Sequence, residues 1–267
     1  MTNNETIQLF SQYMQLTGVP TLSFDKAVEP KLQNKKLGVV NGSSWVSLWS
    51  TYFGKTILPG VKIVNVGNEG VQLNFMDAHA QGLSCPPPIN IDLFCKYSED
   101  LYRLYNVDAI LISCSTMNRA FEQVKQHMAL FGVPVIQIDQ AMMEEAVLSG
   151  GKILVVATHG PTVKSTQELL LETAHRLGQK VEFAGATIED AFHLLGDGKI
   201  HEHNQAIADA IKTAQAKEKI DIVVLAQLSM SVFSFSYPNP EETFGVKVLN
   251  SGETGFRRAG EVLECKP

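Results

Sequence analysis

Two pairs of segments decide the fold. Lys36-Leu37-Gly38-Val39-Val40-Asn41-Gly42-Ser43 matches Lys152-Ile153-Leu154-Val155-Val156-Ala157-Thr158-His159 at an offset of 116 residues. Val107-Asp108-Ala109-Ile110-Leu111-Ile112-Ser113-Cys114-Ser115-Thr116-Met117 matches Ile220-Asp221-Ile222-Val223-Val224-Leu225-Ala226-Gln227-Leu228-Ser229-Met230 at an offset of 113. Each segment is a short, continuous apolar run ending in small polar residues. Such runs fit strands buried on both faces of a parallel sheet, where no solvent face imposes alternation. Two pairs at nearly the same offset indicate an internal duplication, because the polar residues after the strands line up as well.

The remaining chain agrees. Strands are expected at 37–41, 62–66, 109–114, 133–138, 153–157, 181–184, 222–227 and 246–250. Helical periodicity lies between them, most clearly at 117–131, 162–177 and 204–217. This is the alternation of an α/β fold with parallel sheets flanked by helices. The expected organisation is an N-terminal helical appendage over 1–35, a first α/β lobe over 36–150 and a second over 151–267. This organisation leaves room for the chain to return to the first lobe at its C-terminus. Residues 5–16 read as an amphipathic helix that Asn3 or Asn4 can cap. In open α/β sheets ligands bind beyond the carboxyl ends of the strands. Two pseudo-symmetric lobes therefore place four strand ends around one cleft.

Composition narrows the function. Of 267 residues, 45% are hydrophobic and 19% charged, enough to bury a core. The net charge is −6 and no basic run stands out, which argues against a nucleic-acid surface. The start, Met1 to Phe10, lacks the basic and apolar regions of a secretory signal. No apolar run reaches the ~20 residues of a membrane span. Cys85, Cys95, Cys114 and Cys265 show no C-x-x-C spacing and read as free thiols of a cytoplasmic protein. The expected partners are a small-molecule carboxylate and further copies of the chain in a homo-oligomer, with no nucleic acid and no membrane.

The strand ends carry the candidate chemistry. Cys114 closes a buried strand and precedes a helix, whose N-terminal amides favour a thiolate. A thiol there needs only a modest pKa change to move protons near neutrality. A strand-end cysteine is more often a small buried hydrophobe. The neighbouring Ser115 and Thr116 and the duplicated strand end tip the reading toward function. Ser115 and Thr116 form a natural carboxylate seat. Asn41, Ser43, Ser44, Thr158, Thr162, Gln227 and Ser229 are further candidates for substrate binding, and His159 for acid/base work. His201-Glu202-His203 lacks a third ligand at supporting spacing, so no metal is expected. Residues 67–70 and 160–164 fit neither the dinucleotide nor the P-loop spacing.

Gly38-Val39-Val40-Asn41-Gly42-Ser43-Ser44-Trp45 resembles the opening of aspartate racemases. Cys114-Ser115-Thr116 is similar to their first-lobe Cys-Asn-Thr, and residues 157–163 resemble the opening of their second lobe. The likeness to the aspartate/glutamate/hydantoin racemase superfamily runs from about Lys36 to Ala259. It implies two pseudo-symmetric lobes, no cofactor (neither pyridoxal phosphate nor metal), and two cysteines flanking the substrate α-carbon. This chain departs from that pattern at Gln227, which stands where the second cysteine belongs. An amide has no proton to exchange near neutral pH. Three ways forward follow. His159 can serve as the second acid/base. A single thiol can protonate a carbanion, as in the superfamily's arylmalonate decarboxylases. Cys114 can act as a nucleophile, as in its maleate cis–trans isomerases. The expected function is a cofactor-independent isomerase using a thiol at the carbon α to a carboxylate. The alternatives are a single-cysteine decarboxylase or other lyase, a cis–trans isomerase, and a non-catalytic acid-binding protein.

Overall fold

In the computed structural model, residues 2–17, 28–158 and 160–266 are described. The first sheet contains β1 (Lys36–Asn41), β2 (Lys62–Gly67), β3 (Ala109–Ile112) and β4 (Val135–Gln137). The second contains β5 (Lys152–Ala157), β6 (Glu182–Thr187), β7 (Ile222–Leu225) and β8 (Lys247–Asn250). Both are wholly parallel, in the orders β2-β1-β3-β4 and β6-β5-β7-β8. The helices before β5 are α1 (Asn3–Thr17), α2 (Ser47–Ile57), α3 (Glu69–Ala80), α4 (Pro88–Tyr105), α5 (Phe121–Ala129) and α6 (Gln140–Ser149). Those after it are α7 (Gly160–Arg176), α8 (Glu189–Gly196), α9 (Ile200–Lys217), α10 (Phe233–Ser236), α11 (Pro240–Phe244) and α12 (Ser251–Cys265).

The duplication read from the sequence is present atom for atom at the strand starts. Val40 pairs with Ile112 in the first sheet, and Val156 with Leu225 in the second, at the offsets of 116 and 113. The Lys36 N–H donates to Asp108 Oδ2 at 2.8 Å, and the Lys152 N–H to Asp221 Oδ2 at 2.8 Å. One carboxylate thus sets the register of the two central strands in each sheet.

The central strands are buried on both faces, which explains their unbroken apolar sequences. On one face of the first sheet, Val40, Ile110 and Ile112 meet Phe94 and Leu101 of α4 and Val124 and Met128 of α5. In the second sheet, Leu154, Val156, Val223 and Leu225 meet Ile207, Ala208 and Ile211 of α9. Each such side chain contributes roughly 1.5–3 kcal/mol by leaving water.

The opposite faces are covered by exchange. α6 follows the first sheet but packs Met142, Met143, Ala146 and Val147 against Ile153, Val155, Ile222 and Val224 of the second. α12 follows the second sheet but packs Phe256, Ala259 and Leu263 against Leu37, Val39 and Leu111 of the first. Gly255 makes this approach possible, because a β-carbon there would overlap the Ile138 carbonyl oxygen. The two halves are therefore held together by each other's core.

Two local expectations need correction. Residues 115–120 form a 3-10 segment before α5 rather than the start of an α-helix. Phe233 and Phe235 belong to the short helix α10, and Tyr237 is its C-cap. Phe233 is buried there against Tyr237 and Phe244. The second-sheet edge strand also runs later than expected, over Glu182–Thr187. α1 buries no residue. Among the described residues no helix is long and apolar enough to cross a membrane.

Candidate active site

The carboxyl ends of β1, β3 and β7 meet at a small cavity of about 80 Å³ to which both sheets contribute. Its polar lining is Ser43, Ser113, Cys114, Ser115 and Thr116 from the first half, with Gln227 and Ser229 from the second. Its apolar lining is Trp45, Val46, Phe192 and Leu228, and Gln72 completes the rim.

Cys114 leaves β3 in an extended conformation and precedes the 3-10 segment Ser115–Ala120. The tight turn folds Thr116 back so that its Oγ1 lies 3.1 Å from Cys114 Sγ. From the other side, the β1 loop presses Gly42 against the sulfur. A β-carbon on residue 42 would overlap Sγ. Although the residue keeps some exposed surface, burial of the sulfur pushes the thiol pKa above its ordinary value. The Thr116 hydroxyl and the backbone N–H groups of Met117, Thr116 and Gly42 oppose that shift without cancelling it. Cys114 is thus held as a protonated thiol near neutral pH.

Two hydroxyls beside the thiol lack partners. Ser43 is 1% exposed, and among the described residues neither its Oγ nor the buried Oγ of Ser115 has a hydrogen-bond partner. An unmade buried hydrogen bond costs roughly 1–3 kcal/mol. Both residues line the cavity, which makes their hydroxyls the candidate donors to an anionic oxygen there.

The second half closes the cavity differently. Gln227 stands at the end of β7 in the position matching Cys114. Its Oε1 accepts hydrogen bonds from Thr158 N at 2.8 Å and Thr158 Oγ1 at 2.9 Å. Thr158 matches Gly42 in the duplication, so the thiol–glycine contact of one half is an amide–threonine hydrogen-bond pair in the other. With its oxygen engaged, Gln227 has only its amide N–H groups left to offer a ligand.

The other sequence candidates are placed as follows. Asn41 is fully buried but away from the cavity lining. Its Oδ1 accepts from Ser50 Oγ at 2.8 Å and Ser113 Oγ at 2.5 Å, and its Nδ2 donates to Asn65 Oδ1 and Val66 O, both at 3.2 Å. Asn41 therefore braces the strand ends. Ser44 is exposed and turned to Glu69, to which its N–H and hydroxyl donate. The Ser44 hydroxyl holds the Glu69 carboxyl below its usual range. Thr158 reaches the cavity through Gln227, and Thr162 is buried in α7 outside the lining. His159 lies outside the described residues. His201 is exposed while His203 is buried, so the two histidines leave α9 on different sides. No group of three or more histidine, cysteine or acidic side chains suited to a metal occurs among the described residues.

Gln72 and Phe192 had no distinguishing sequence signal. Gln72 sits on α3, which Asn68 caps by accepting from Gly70 N at 2.8 Å. Its Oε1 accepts from Trp45 Nε1 at 3.3 Å and so pins the indole at the cavity mouth. Phe192 comes from α8 in the second half.

Comparison with known proteins agrees with this architecture. Glutamate racemase isoform RacE1 from Bacillus anthracis superposes with a TM-score of 0.60 and 18% identity, covering 87% of this chain and 82% of its own. An aspartate racemase homologue from Pyrococcus horikoshii gives 0.61 and 17%, covering 86% and 99%. Allantoin racemase from Klebsiella pneumoniae gives 0.59 and 14%, covering 86% and 88%. At these identities the likeness establishes the fold. No functionally curated protein sequence matches the chain at a significant level. The Asp/Glu/Hydantoin racemase family model matches residues 97–259, more than half of the chain and including both Cys114 and Gln227, and the chain belongs to that family.

Proposed function

We propose that the protein is a cofactor-independent, racemase-like isomerase that moves the proton on the carbon next to a small molecule's carboxylate, with Cys114 as the thiol on one face. The observation that carries this reading is the cavity that sets Cys114 Sγ beside the unpartnered hydroxyls of Ser43 and Ser115. The hydroxyls seat the carboxylate, and they strengthen their hold as charge develops on it. His159, next in the chain to the Gln227-bound Thr158, is the candidate for the opposite face.

In one direction His159 takes the α-proton. The C–H electron pair passes into the carboxylate as an enediolate, and the Cys114 S–H delivers a proton to the other face. The reverse direction exchanges the two roles. The raised thiol pKa suits Cys114 to the donating step. Four free cysteines suit a reducing cytoplasm, and a homo-oligomer belongs to the same proposal.

A specific observation favours a second reading. Gln227 has no exchangeable acid, so a one-thiol lyase that protonates a carbanion on the Cys114 face is the runner-up. Proton NMR in D₂O on wild type, Cys114→Ala and His159→Gln separates the two. Deuterium incorporation with inversion, lost in both variants, supports the isomerase. Loss of carbon dioxide from a malonate-type acid that survives in His159→Gln, with deuterium delivered to one face of the product, supports the one-thiol lyase. Binding without exchange or turnover in any form would overturn both in favour of an acid-binding protein.

A further inference from the structure

From the lining of the Cys114 cavity we infer that the substrate is a small monocarboxylate whose side chain on the α-carbon is compact, apolar and uncharged, and that acids with a second carboxylate in the side chain are rejected. This inference rests on the reading of the cavity as a carboxylate site.

The argument is one of charge and wall chemistry. Among the described residues no lysine or arginine lines the cavity, and no aspartate or glutamate does. The unpartnered donors beside Cys114 are the hydroxyls of Ser43 and Ser115, and the other polar groups of the lining, on Ser113, Thr116, Gln227 and Ser229, are neutral as well. A second carboxylate has to leave water without a counter-charge, which costs several kcal/mol even when hydrogen bonds remain. The apolar part of the lining is Trp45, Val46, Phe192 and Leu228. Leu228 is buried, while Trp45 is 38% exposed and held by Gln72. An apolar substituent of the substrate covers this wall and gains about 0.8 kcal/mol, close to fourfold in affinity, per buried methylene. The size of the group is limited too. The cavity of about 80 Å³ is far below the roughly 300–1,000 Å³ of sites for drug-sized ligands.

The test pairs acids of similar size and different charge: alanine, 2-aminobutyrate, leucine and lactate against aspartate, glutamate and malate. Binding is read as protection of Cys114 from iodoacetamide, followed by site-resolved mass spectrometry. Chemistry is read separately as α-deuteration in D₂O. The expected result is protection by the apolar acids, improving about fourfold from alanine to 2-aminobutyrate, and at least about tenfold weaker protection by the dicarboxylates. Trp45→Arg, which puts a cation on the exposed side of the wall, is expected to reverse the preference toward aspartate or glutamate.

Protection without deuteration would overturn the proposed chemistry and leave this inference standing. Better protection or faster deuteration with aspartate or glutamate would overturn the inference and leave the chemistry standing. Failure of every acid to protect Cys114 would overturn the inference as well.

Discussion

Gly42 lies so close to Cys114 that a β-carbon on residue 42 would overlap the sulfur. The contact joins the two central strands of the first sheet at the point where the proposed chemistry takes place. Gly42→Ala must displace the sulfur or the loop. The expected cost is about 1–3 kcal/mol, typical of overpacking a well-filled site. It is read as a lower urea midpoint, together with a changed rate of Cys114 alkylation. An alanine variant with wild-type stability and wild-type Cys114 alkylation would show that the contact is loose.

The Cys114 thiol titrates late. Burial raises its pKa, with the Thr116 hydroxyl the largest opposing influence. Alkylation by iodoacetamide, followed per site by mass spectrometry, should show an inflection above the ordinary thiol value. At pH 7.5 Cys114 should react several-fold more slowly than the exposed Cys265. Thr116→Val removes the hydroxyl and should move the inflection further upward. A Cys114 that outpaces Cys265 at pH 7.5 would mark a stabilised thiolate and redirect the chemistry toward nucleophilic attack. The same shift affects stability. A folded-state pKa above the unfolded one means that the stabilisation is complete below the unfolded value and is lost as pH rises through the folded value. Cys95, raised by burial and by Asp92, adds to this alkaline loss.

The parts of this molecule legible in the sequence are those set by local pattern. Strands such as Ala109–Ile112 and Ile222–Leu225 are buried on both faces and so appear as unbroken apolar runs. Their duplicated ends place Cys114, Ser115, Thr116, Gln227 and Ser229 around one cavity. What needs tertiary partners was not legible. Asn41 has the look of a ligand-binding strand end, but its amide is engaged by Ser50, Ser113 and Asn65, which lie elsewhere in the chain. Ser44 turns away because Glu69 opens α3 within its reach. Phe192 reads as one more apolar residue of an amphipathic helix, and only the meeting of the two halves brings it to the cavity. The exchange of α6 and α12 leaves no trace in periodicity, since a helix face does not state which sheet it covers.

Gln227 is expected to be structural as well as ligand-facing. Its Oε1 is the partner of both the Thr158 N–H and the Thr158 hydroxyl, and Thr158 is 2% exposed. Gln227→Ala leaves that N–H without its partner in the folded protein, at a cost of about 1–3 kcal/mol. Gln227→Glu keeps an acceptor at the same reach and should recover most of the loss above the carboxyl pKa. Urea denaturation at pH 7 measures both. Equal stability of the alanine variant and wild type would mean that water replaces the amide at no cost.

His203 should make the protein sensitive to acid. Its ring is wholly buried, Nδ1 lies 2.8 Å from the Ala191 carbonyl oxygen, and Nε2 has no partner among the described residues. Nδ1 therefore carries the proton and donates it, leaving Nε2 as an unprotonated acceptor with no room to charge. Burial lowers the pKa below its ordinary value, against the smaller upward influence of the Ala191 hydrogen bond. The sign follows from where protons bind. As pH falls through about 6.5 the unfolded chain takes up a proton that the folded chain refuses. Stability is then complete above the unfolded value and is lost as pH falls toward the folded one, by at most about 1.4 kcal/mol per pH unit from this residue. His203→Gln retains a donor for Ala191 but does not titrate. Its unfolding free energy, measured in urea at pH 7 and pH 5, should fall less steeply than that of wild type. Parallel slopes for the two proteins would show that His203 binds its proton equally well in the folded and unfolded chains.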